Sequence, residues 1–560
     1  MRPLSPTVLL ATALLATTID AAAQTLYVDQ GQNTGLDNGS SWADAFQGTG
    51  GLQAALAVAQ PGDRIFVADG LYLASDTGDR AASFALPDAV EIYGGFLGGE
   101  SSPDERPPIG SAPSVLSGDL GGNDPMGAIG DNSVHLVTTA GTTASAILDG
   151  FRITGGNASG GVGINSDRGA GILCVSGVSP TIRNCHFIGN RCTFGGAAGY
   201  INTNAAPSFT DTIFENGDGG SFGGAFDIAG GGAVLFERCV FRNNRAARAG
   251  ALEIFSTNGV RVRNSVFVDN IATGNGGGGA IWAGSGGNPR FFGCTVVGNR
   301  ATGQATGGIR SQGSTVTVAG SIVYDNEGQS GAQGSANQIS SGLNVTYSIV
   351  EGGYAGNGNL STDPGFVDVN AGDLRLAPGS PAIDAGNSGL FGAASPSDVA
   401  GLPREVDDPS TVDTGIGGAP IADIGAHEYQ PPAFTPIAGC FGNTADLSTP
   451  STGLVTGQAM DLSFATSTIT DGVALFYAGV PNVDASGCGL PLGAFGEIFL
   501  GLAPFPVTLA SLPLTGGSAA LNFAVPSDAS LVGIQFGFQT LGAGSSGTFE
   551  ASNALLATFE

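Results

Sequence analysis

The stretch that decides the fold is Gly223-Gly224-Ala225-Phe226 followed by Phe241-Arg242-Asn243-Asn244, because both motifs recur in this order along the chain. The phenylalanine of the second motif belongs to an apolar series whose members lie about 27 residues apart after one longer first step. The series is Ile153, Phe187, Phe214, Phe241, Phe267, Val296, Val323 and Val350. A fixed period of this length indicates that each unit buries its apolar face on the next unit.

The residues that follow each first motif alternate between apolar and polar side chains, which is the pattern of a half-buried strand. Leu252 and Ile254, for example, flank Glu253. Short strands joined by glycine corners, one coil per repeat, predict an all-β chain built on a right-handed parallel β-helix. One corner carries recurring asparagines, and we expect their amides to hydrogen-bond from coil to coil. They are Asn190, Asn244, Asn270, Asn299 and Asn326.

The two motifs resemble the G-G-A-[ILV] and F-x-x-N repeat of the chlamydial polymorphic outer-membrane proteins and related bacterial surface β-helices. Further matches are Phe187-Ile188-Gly189-Asn190 and Phe267-Val268-Asp269-Asn270. The resemblance covers roughly residues 140–350 and stops before the C-terminal membrane domain of those proteins. It implies a β-helix that is displayed on a bacterial surface.

Composition and the N-terminus predict an exported protein. Residues 1–23 read as a secretory signal peptide with an apolar centre, Val8 to Leu15, and cleavage near Ala23. No later apolar run reaches the roughly 18–20 residues that a membrane-spanning helix needs. The net charge of −28 argues against nucleic acid and anionic membranes as partners. We expect a secreted or cell-surface protein.

The remaining chain divides by pattern into a solenoid with caps and a second domain. Segments on either side of the repeats are similar to the start and end of many secreted bacterial β-helix proteins, and a helical stretch from Ser41 to Ala59 is the expected N-terminal capping helix. A proline-rich linker precedes a C-terminal segment whose alternation predicts a small antiparallel β-sandwich. The predicted divisions are 24–135 (cap and first coils), 136–350 (repeats), 351–430 (last coils and cap), 431–436 (linker) and 437–560 (sandwich).

One predicted row of outward side chains could carry chemistry. It follows the first motif in successive coils and comprises Leu173, Gly199, Asp227, Glu253, Trp282 and Arg310. Asp227 and Glu253 would lie about 4.8 Å apart, a spacing that suits the acid/base and nucleophile of a retaining glycosidase. Trp282 could stack on a sugar ring and Arg310 could hold a uronate. The alternative interpretation is a plain, solvated polar face.

A second, weaker candidate is a Ca²⁺ site in an acidic loop. The loop offers oxygen ligands from Asp119, Asn123, Asp124 and Asp131. No other cofactor is indicated. His186 is the single exception in a row of β-branched residues, so we expect it to be structural.

Three of the seven cysteines, Cys185, Cys239 and Cys294, are predicted to be free thiols. Cys185 and Cys239 occupy one repeat position in alternate coils, about 10 Å apart, which is too far for a disulfide. Cys440 and Cys488 of the C-terminal segment are the candidate disulfide pair. The same repeat position carries only small side chains: Cys185, Thr212, Cys239, Ser265, Cys294, Ser321 and Ser348.

The sequence therefore favours a non-catalytic β-helix that acts as an adhesin, matrix or envelope component with a polysaccharide or cell-surface glycan as its partner. The alternative is a polysaccharide-acting enzyme, a glycosidase or lyase, that uses the outward row. The repeats are nearly minimal in length and leave little chain for the walls of a catalytic groove. That shortness favours the first interpretation.

Overall fold

A computed structural model divides the chain after Tyr429, with the solenoid in the first unit and the C-terminal strands in the second. The structure describes residues 23–160, 165–255, 259–303, 306–328, 335–391 and 395–431 with their side chains, and the C-terminal strands as backbone. The predicted signal peptide before Ala23 and the pair Cys440 and Cys488 lie outside the described residues. No helix in the described part of the chain is long and apolar enough to cross a membrane.

Three long parallel sheets form the solenoid. The first sheet contains Phe46–Gln47, Thr25–Asp29, Arg64–Ala68, Glu91–Phe96, Ile147–Asp149, Thr181–Arg183, Ser208–Thr210, Leu235–Glu237, Arg261–Arg263, Arg290–Phe292, Thr317–Ala319 and Asn344–Thr346. The second contains Gly70–Leu73, Ser114–Ser117, Phe151–Thr154, His186–Ile188, Ile213–Glu215, Val240–Arg242, Val266–Val268, Thr295–Val297, Ile322–Tyr324 and Ile349–Val350. The third contains Phe84–Leu86, Val137–Thr139, Ile172–Cys174, Gly199–Asn202, Phe226–Ala229, Leu252–Phe255, Ile281–Ala283 and Ile309–Ser311.

Two short corner ladders join the second and third sheets. They contain Asn157–Ala158 with Arg191–Cys192, and Arg245–Ala246 with Ile271–Ala272 and Arg300–Ala301. The predicted all-β fold with a right-handed parallel β-helix is confirmed. Most coils contribute one strand to each of the three sheets, so equivalent residues of successive coils become neighbours.

The apolar series read from the sequence runs through the core as predicted. Each of its eight members is the register partner of the next, from Ile153 to Val350. The rings of Phe214 and Phe241 stack with centroids 4.9 Å apart, and those of Phe241 and Phe267 stack at 4.5 Å. Stacking of equivalent side chains therefore fills the interior along the helix axis.

The glycine corners are explained by close approach of successive coils. A Cβ atom on Gly250 would lie 2.0 Å from the carbonyl oxygen of Gly279, and one on Gly279 would lie 2.0 Å from that of Gly307. No side chain fits at that separation, so in these two coils the second position of the first motif requires glycine or a shift of the backbone.

The asparagine corner forms a hydrogen-bonded ladder, as predicted. The Nδ2 group of Asn270 donates to Oδ1 of Asn299 at 2.9 Å, and Oδ1 of Asn270 accepts from Nδ2 of Asn244 at 3.0 Å. Gly217 takes the asparagine position in one coil, so no side-chain bond reaches Asn190 from Asn244. The ladder is therefore continuous only from Asn244 onward.

The small-residue position is also a ladder, and its cysteines are free thiols as predicted. The hydroxyl of Ser265 accepts a hydrogen bond from the backbone N–H of Cys239 at 3.1 Å, and that of Ser321 accepts from Cys294 at 3.0 Å. Burial raises the pKa of the Cys185 and Cys294 thiols to about 12. These cysteines therefore serve as small core residues.

The N-terminal end is covered by a shorter helix than the sequence predicts. A 3₁₀ turn, Trp42–Asp44, is capped by Ser41, and the α-helix proper is Gly51–Val58. Leu52 and Ala55 of that helix are buried in the core that the first coils form. Pro103–Glu105 and Asp124–Met126 are further 3₁₀ turns of the entry segment.

Residues 351–430, assigned from sequence to the last coils and the cap, lie largely along the side of the solenoid. Ile383 packs with Ile322 of the second sheet, and the backbone N–H of Ala426 donates to Oγ1 of Thr295 at 2.9 Å. This exit segment, residues 351–430, therefore covers the outward face of the second sheet in the later coils. Its short elements are Phe366–Asp368, Val369–Ala371, Asp373–Leu376 and Ser388–Leu390, and helix Ser335–Gln338 precedes it.

A buried arginine holds the exit segment together. The Arg404 guanidinium donates to the carbonyl oxygens of Gly425 at 2.6 Å and Asp423 at 3.0 Å. It lies 4.3 Å from the centre of the Phe391 ring and 3.6 Å from the Glu428 carboxylate. Backbone carbonyls and one carboxylate thus replace the water that the charge would otherwise bind.

The C-terminal unit is antiparallel, as predicted. Its eight longer strands form one hydrogen-bonded sheet: Thr435–Ile437, Asp446–Ser448, Ala459–Ala465, Asp471–Gly479, Val507–Thr515, Ser518–Ala524, Gln535–Gly544 and Phe549–Thr558. Leu490–Pro491 and Glu497–Ile498 form a separate pair.

The asparagine ladder generates a stability prediction. Asn270→Ala removes the oxygen that accepts from the backbone N–H of Asn244 in a buried corner. It also removes the two side-chain bonds that link Asn270 to Nδ2 of Asn244 and to Oδ1 of Asn299. We expect the free energy of unfolding to fall by about 2–4 kcal/mol. The exposed Asn344→Ala variant should change it by less than about 0.5 kcal/mol. Urea unfolding curves compare the two, and equal effects would contradict a structural ladder.

Candidate functional site

The outward row of the third sheet is assembled as predicted, with one correction. Asp227, Glu253, Trp282 and Arg310 are register partners in four successive coils. The partner of Asp227 in the preceding coil is Tyr200, so the assignment of Gly199 to the row is wrong. Gly199 instead pairs with Phe226 and faces inward, where its lack of a side chain makes room for the Phe226 ring, 2.3 Å from the position of a Cβ atom.

The row is not an exposed face. Asp227 is 3% exposed, Glu253 1% and Trp282 4%. The sequence-based picture of a solvent-facing row with an accessible indole is therefore wrong. The corner that precedes each strand lies directly over the row of the next coil, since a Cβ atom on Gly195 would be 2.6 Å from Oδ2 of Asp227.

Two arginines and two phenylalanines cover the row. Arg168 lies over the rings of Phe194, at 4.2 Å, and Tyr200, at 4.7 Å. Arg248 lies over the ring of Phe222, at 4.3 Å, and over that of Trp282, at 4.1 Å. We call Arg168, Phe194, Phe222 and Arg248 the arginine–aromatic cover.

The cover is continuous across four coils. The Phe194 and Phe222 rings meet edge to face at 4.6 Å and so connect the two arginine stacks. Cation–π contacts of this kind are strongest where water is excluded. The cover therefore links successive coils through side-chain contacts, in addition to the backbone hydrogen bonds of the sheets.

The cover also supplies the charges that face the carboxylates. Arg248 forms an ion pair with Glu253, and a guanidinium nitrogen of Arg168 lies 3.9 Å from Oδ2 of Asp227. Burial and the charge of Glu253 raise the pKa of Asp227 to about 7, against the lowering effect of both arginines. Burial raises the pKa of Glu253 too, although its ion pair with Arg248 opposes that shift. Desolvation thus dominates the electrostatics of the row.

Several polar atoms of the row and its cover have no hydrogen-bond partner in the described structure. They are Oε2 of Glu253, Nε of Arg248, Nε1 of Trp282 and Nε of Arg310. An acid with a pKa near 7 beside a second carboxylate could serve general acid/base chemistry. It could do so only if the cover opened, because no substrate atom can reach side chains that are 1–4% exposed.

The cover was not found from the sequence, although a signal exists. Its four residues come directly before the first motif or its glycine-containing equivalent in four successive coils. Arg168 precedes Gly169-Ala170-Gly171, and Phe222 precedes Gly223-Gly224-Ala225. A repeat position that carries arginine or phenylalanine in four successive coils predicts cation–π stacking once the coils are aligned.

The acidic loop proposed for Ca²⁺ is largely satisfied by its own amides. The two carboxylate oxygens of Asp119 accept from the backbone N–H groups of Asn123 and Asp124 at 2.9 and 3.0 Å. An Asp131 oxygen accepts from the Asn123 side chain at 3.0 Å. Asp124 lines a pocket of about 150 Å³ with Asn132 and other residues. Binding of Ca²⁺ at this loop stays a prediction.

His186 lies outside the row, on the second sheet. Its Nε2 atom is 2.9 Å from a carboxylate oxygen of Glu215, which also pairs with Arg242. Burial lowers the pKa of His186, although Glu215 opposes the shift. The contacts fit the expected structural role.

A second candidate surface lies on the outward face of the first sheet. Arg261 and Arg290 are exposed register partners in adjacent coils, and Arg263 is a half-buried neighbour on the same strand as Arg261. Within the described residues none of the three forms an ion pair. Like charges on directly paired strand positions repel each other. We call these residues the arginine strip.

The strip differs from the corner ladder, where charges alternate. Arg191, Asp218 and Arg245 are bridged in that order from coil to coil. Opposite signs there compensate each other within the chain. Arg261 and Arg290 lack that compensation, since their other register partners are Leu235 and Thr317. An anion from outside the chain would relieve their repulsion.

The buried row generates a pH-dependent prediction. A carboxyl group whose pKa is higher in the folded than in the unfolded protein lowers the free energy of unfolding as pH rises, here between about 4 and 7, and its full cost is present above pH 7. Asp227→Asn removes that cost. We expect the stability of the variant relative to wild type to increase by roughly 2–4 kcal/mol between pH 4.5 and pH 8. Urea unfolding at the two pH values measures the difference.

Asp218→Asn is the matched control, because Asp218 is exposed in the same coil. Its effect should vary much less with pH. If the difference between Asp227→Asn and wild type were constant with pH, Asp227 would be hydrated and the cover open.

Comparison with known families supports the fold. Two overlapping stretches, residues 130–291 and 200–367, match the family model of the right-handed β-helix region. Together they span less than half of the 560 residues and include the row, its cover and the arginine strip. No curated protein matches the chain. The resemblance to the chlamydial surface proteins stays a prediction, whereas the match and the three parallel sheets show that the chain is a right-handed β-helix repeat protein.

Proposed function

We propose that this chain is an exported, non-catalytic β-helix protein that acts as an adhesin, matrix or envelope component. The observation that carries the proposal is the closed row: its two neighbouring carboxylates are 3% and 1% exposed, and Arg248 already pairs with Glu253. A glycosidase needs an open cleft that admits a sugar and a water molecule between its carboxyl groups. The match to the right-handed β-helix region fits a surface or polysaccharide-related protein.

The ligand that the outer faces favour is an acidic glycan bound along the arginine strip. Strands of adjacent coils are about 4.8 Å apart, so Arg261 and Arg290 present two guanidinium groups in a line along the solenoid axis. Guanidinium groups bind carboxylate and sulfate groups with two parallel hydrogen bonds. The overall charge of −28 does not prevent this local contact, since salt screens charges beyond about 8 Å at physiological ionic strength. The row around Trp282 is a poorer candidate for sugar binding because it is covered.

The test uses polygalacturonate as an acidic probe and dextran as a neutral one. We expect the mature protein to bind polygalacturonate. In the variant Arg261→Ala/Arg290→Ala the affinity should fall by at least about tenfold, since two charged contacts are removed. Arg191→Ala/Arg245→Ala removes the same charge from another exposed ladder and should change the affinity by less than about twofold. Biolayer interferometry with immobilised glycan measures both.

Two outcomes would contradict the ligand assignment. One is unchanged binding in Arg261→Ala/Arg290→Ala. The other is an equal loss in both double variants, which would indicate a general charge effect instead of a site.

The second candidate function is a polysaccharide-acting enzyme, and the raised pKa of Asp227 favours it. A carboxyl group with a pKa of about 7 next to Glu253 could protonate a leaving group at neutral pH if the cover moved. Product release from the same glycans, abolished in Glu253→Gln and retained in Asp218→Asn, would establish that function. We expect no turnover.

A further inference from the structure

A cluster of carboxylates in the exit segment lies apart from the row and the arginine strip. One carboxylate oxygen each from Asp384, Asp407 and Asp413 lie within 4.8 Å of one another. Two loops that are distant in sequence bring them together. The carbonyl oxygen of Asp384 accepts from the backbone N–H groups of Thr414 at 2.9 Å and Gly415 at 3.0 Å, which fixes the second loop against the first.

Asp384 is the unusual member of the cluster because it is completely buried. Its Oδ2 atom accepts one long hydrogen bond, 3.3 Å from the backbone N of Asp408, and its Oδ1 atom has no partner in the described structure. A buried, unpartnered carboxylate oxygen is costly unless a cation or a donor meets it. The backbone of Asp384 is also in the left-handed region, with a φ of 51°, which L-residues other than asparagine and aspartate seldom adopt.

The chain offers no cation for this cluster in its described part. The nearby arginine, Arg404, pairs with Glu428. Asp408 and Asp423, the other acids of the region, are satisfied by local donors: Ser410 and Thr411 donate to Asp408, and the backbone of Tyr429 donates to Asp423. Asp407 and Asp413 are exposed and accept no hydrogen bond in the described structure. Three carboxylates therefore converge without compensation.

We propose that Asp384, Asp407 and Asp413 bind one Ca²⁺ ion, which ties the two loops of the exit segment together. Ca²⁺ binds oxygen ligands at 2.3–2.6 Å, so oxygens on opposite sides of the ion are about 5 Å apart, in agreement with the separation in this cluster. The exposed positions of Asp407 and Asp413 leave room for the water ligands that complete a shell of six to eight oxygens. Mg²⁺ demands a tighter octahedral arrangement than three side chains on two loops provide.

The site has a structural consequence. The exit segment packs along the second sheet through Ile383, the residue next to Asp384, and through Ala426. An ion that joins the loop of Asp384 to the loop of Asp407 and Asp413 stabilises the segment that covers that sheet. Ca²⁺ thus stabilises the solenoid from the side, and this role is independent of any glycan on the arginine strip.

Thermal unfolding of the mature full-length protein tests the site. We expect CaCl₂ titrated into chelator-treated protein to raise the melting temperature by about 3 °C or more, with an apparent Kd of about 10⁻⁴–10⁻³ M, the range of extracellular Ca²⁺ modules. In Asp384→Asn the apparent Kd should rise at least tenfold. Asparagine keeps the shape and tolerates the left-handed backbone, so this variant should fold and, without Ca²⁺, should melt no lower than wild type.

Asp407→Asn/Asp413→Asn provides a second variant that leaves the core unchanged and should lose the Ca²⁺ effect as well. Asp104→Asn/Asp269→Asn removes two exposed charges elsewhere and should keep it. Asp124→Asn tests the acidic loop of the entry segment and should also keep it.

Three results would overturn the proposal. The first is the absence of Ca²⁺ stabilisation in the wild type. The second is an equal stabilisation by Mg²⁺ that persists in Asp384→Asn, which is the mark of general screening. The third is loss of the Ca²⁺ effect in Asp124→Asn alone, which would place the ion in the acidic loop.

Discussion

The close approach of successive coils at the glycine corner is the constraint on which the rest of the structure depends. The second glycine of the motif has no room for a Cβ atom because a carbonyl oxygen of the next coil lies 2.0 Å from that position, as at Gly250 and Gly279. The corner also rests on the outward row, since a Cβ atom on Gly195 would clash with Asp227. The motif that stacks the coils therefore also brings the preceding residue over the third sheet. The close packing at the glycine corner therefore both stacks the coils and covers the row.

That closure decides between the two functions. Paired carboxylates on neighbouring strands are a minimal glycosidase motif only where a sugar can reach them. Here Arg168 and Arg248 occupy the space above Asp227 and Glu253, and each guanidinium is held between aromatic rings. The arginines and the carboxylates compensate one another's charges within the chain, and the row and its cover form a side-chain contact between successive coils. The first sheet, by contrast, presents Arg261 and Arg290 outward without partners among the described residues, and for that reason the proposed ligand binds there.

Periodicity predicts which residues become neighbours, and it did so well for this chain. The series from Ile153 to Val350, the asparagine corner and the order of Asp227, Glu253, Trp282 and Arg310 all follow from counting repeats. Gly199 was misplaced because its coil contains Gly195-Gly196-Ala197-Ala198-Gly199, in which two alignments of the motif differ by one residue, and only packing against Phe226 selects between them. The solvent exposure of the row could not be predicted from the repeat, because it depends on how the corner before each strand passes over the third sheet. The exit segment has no period, so the convergence of Asp384 with Asp413 was outside the reach of pattern alone.

Trp282 reports directly on whether the row lies beneath the arginine–aromatic cover. Trp42 is the other of the two tryptophans, so Trp42→Phe leaves Trp282 as the sole indole emitter. Acrylamide quenching of that variant, with denatured protein as the reference, measures how accessible the indole is. Because the cover excludes water from the indole, we expect a blue-shifted emission maximum and a quenching constant several-fold below that of the denatured chain. A red-shifted emission that acrylamide quenches as freely as in the denatured chain would contradict this expectation and return the row to consideration as a binding or catalytic surface.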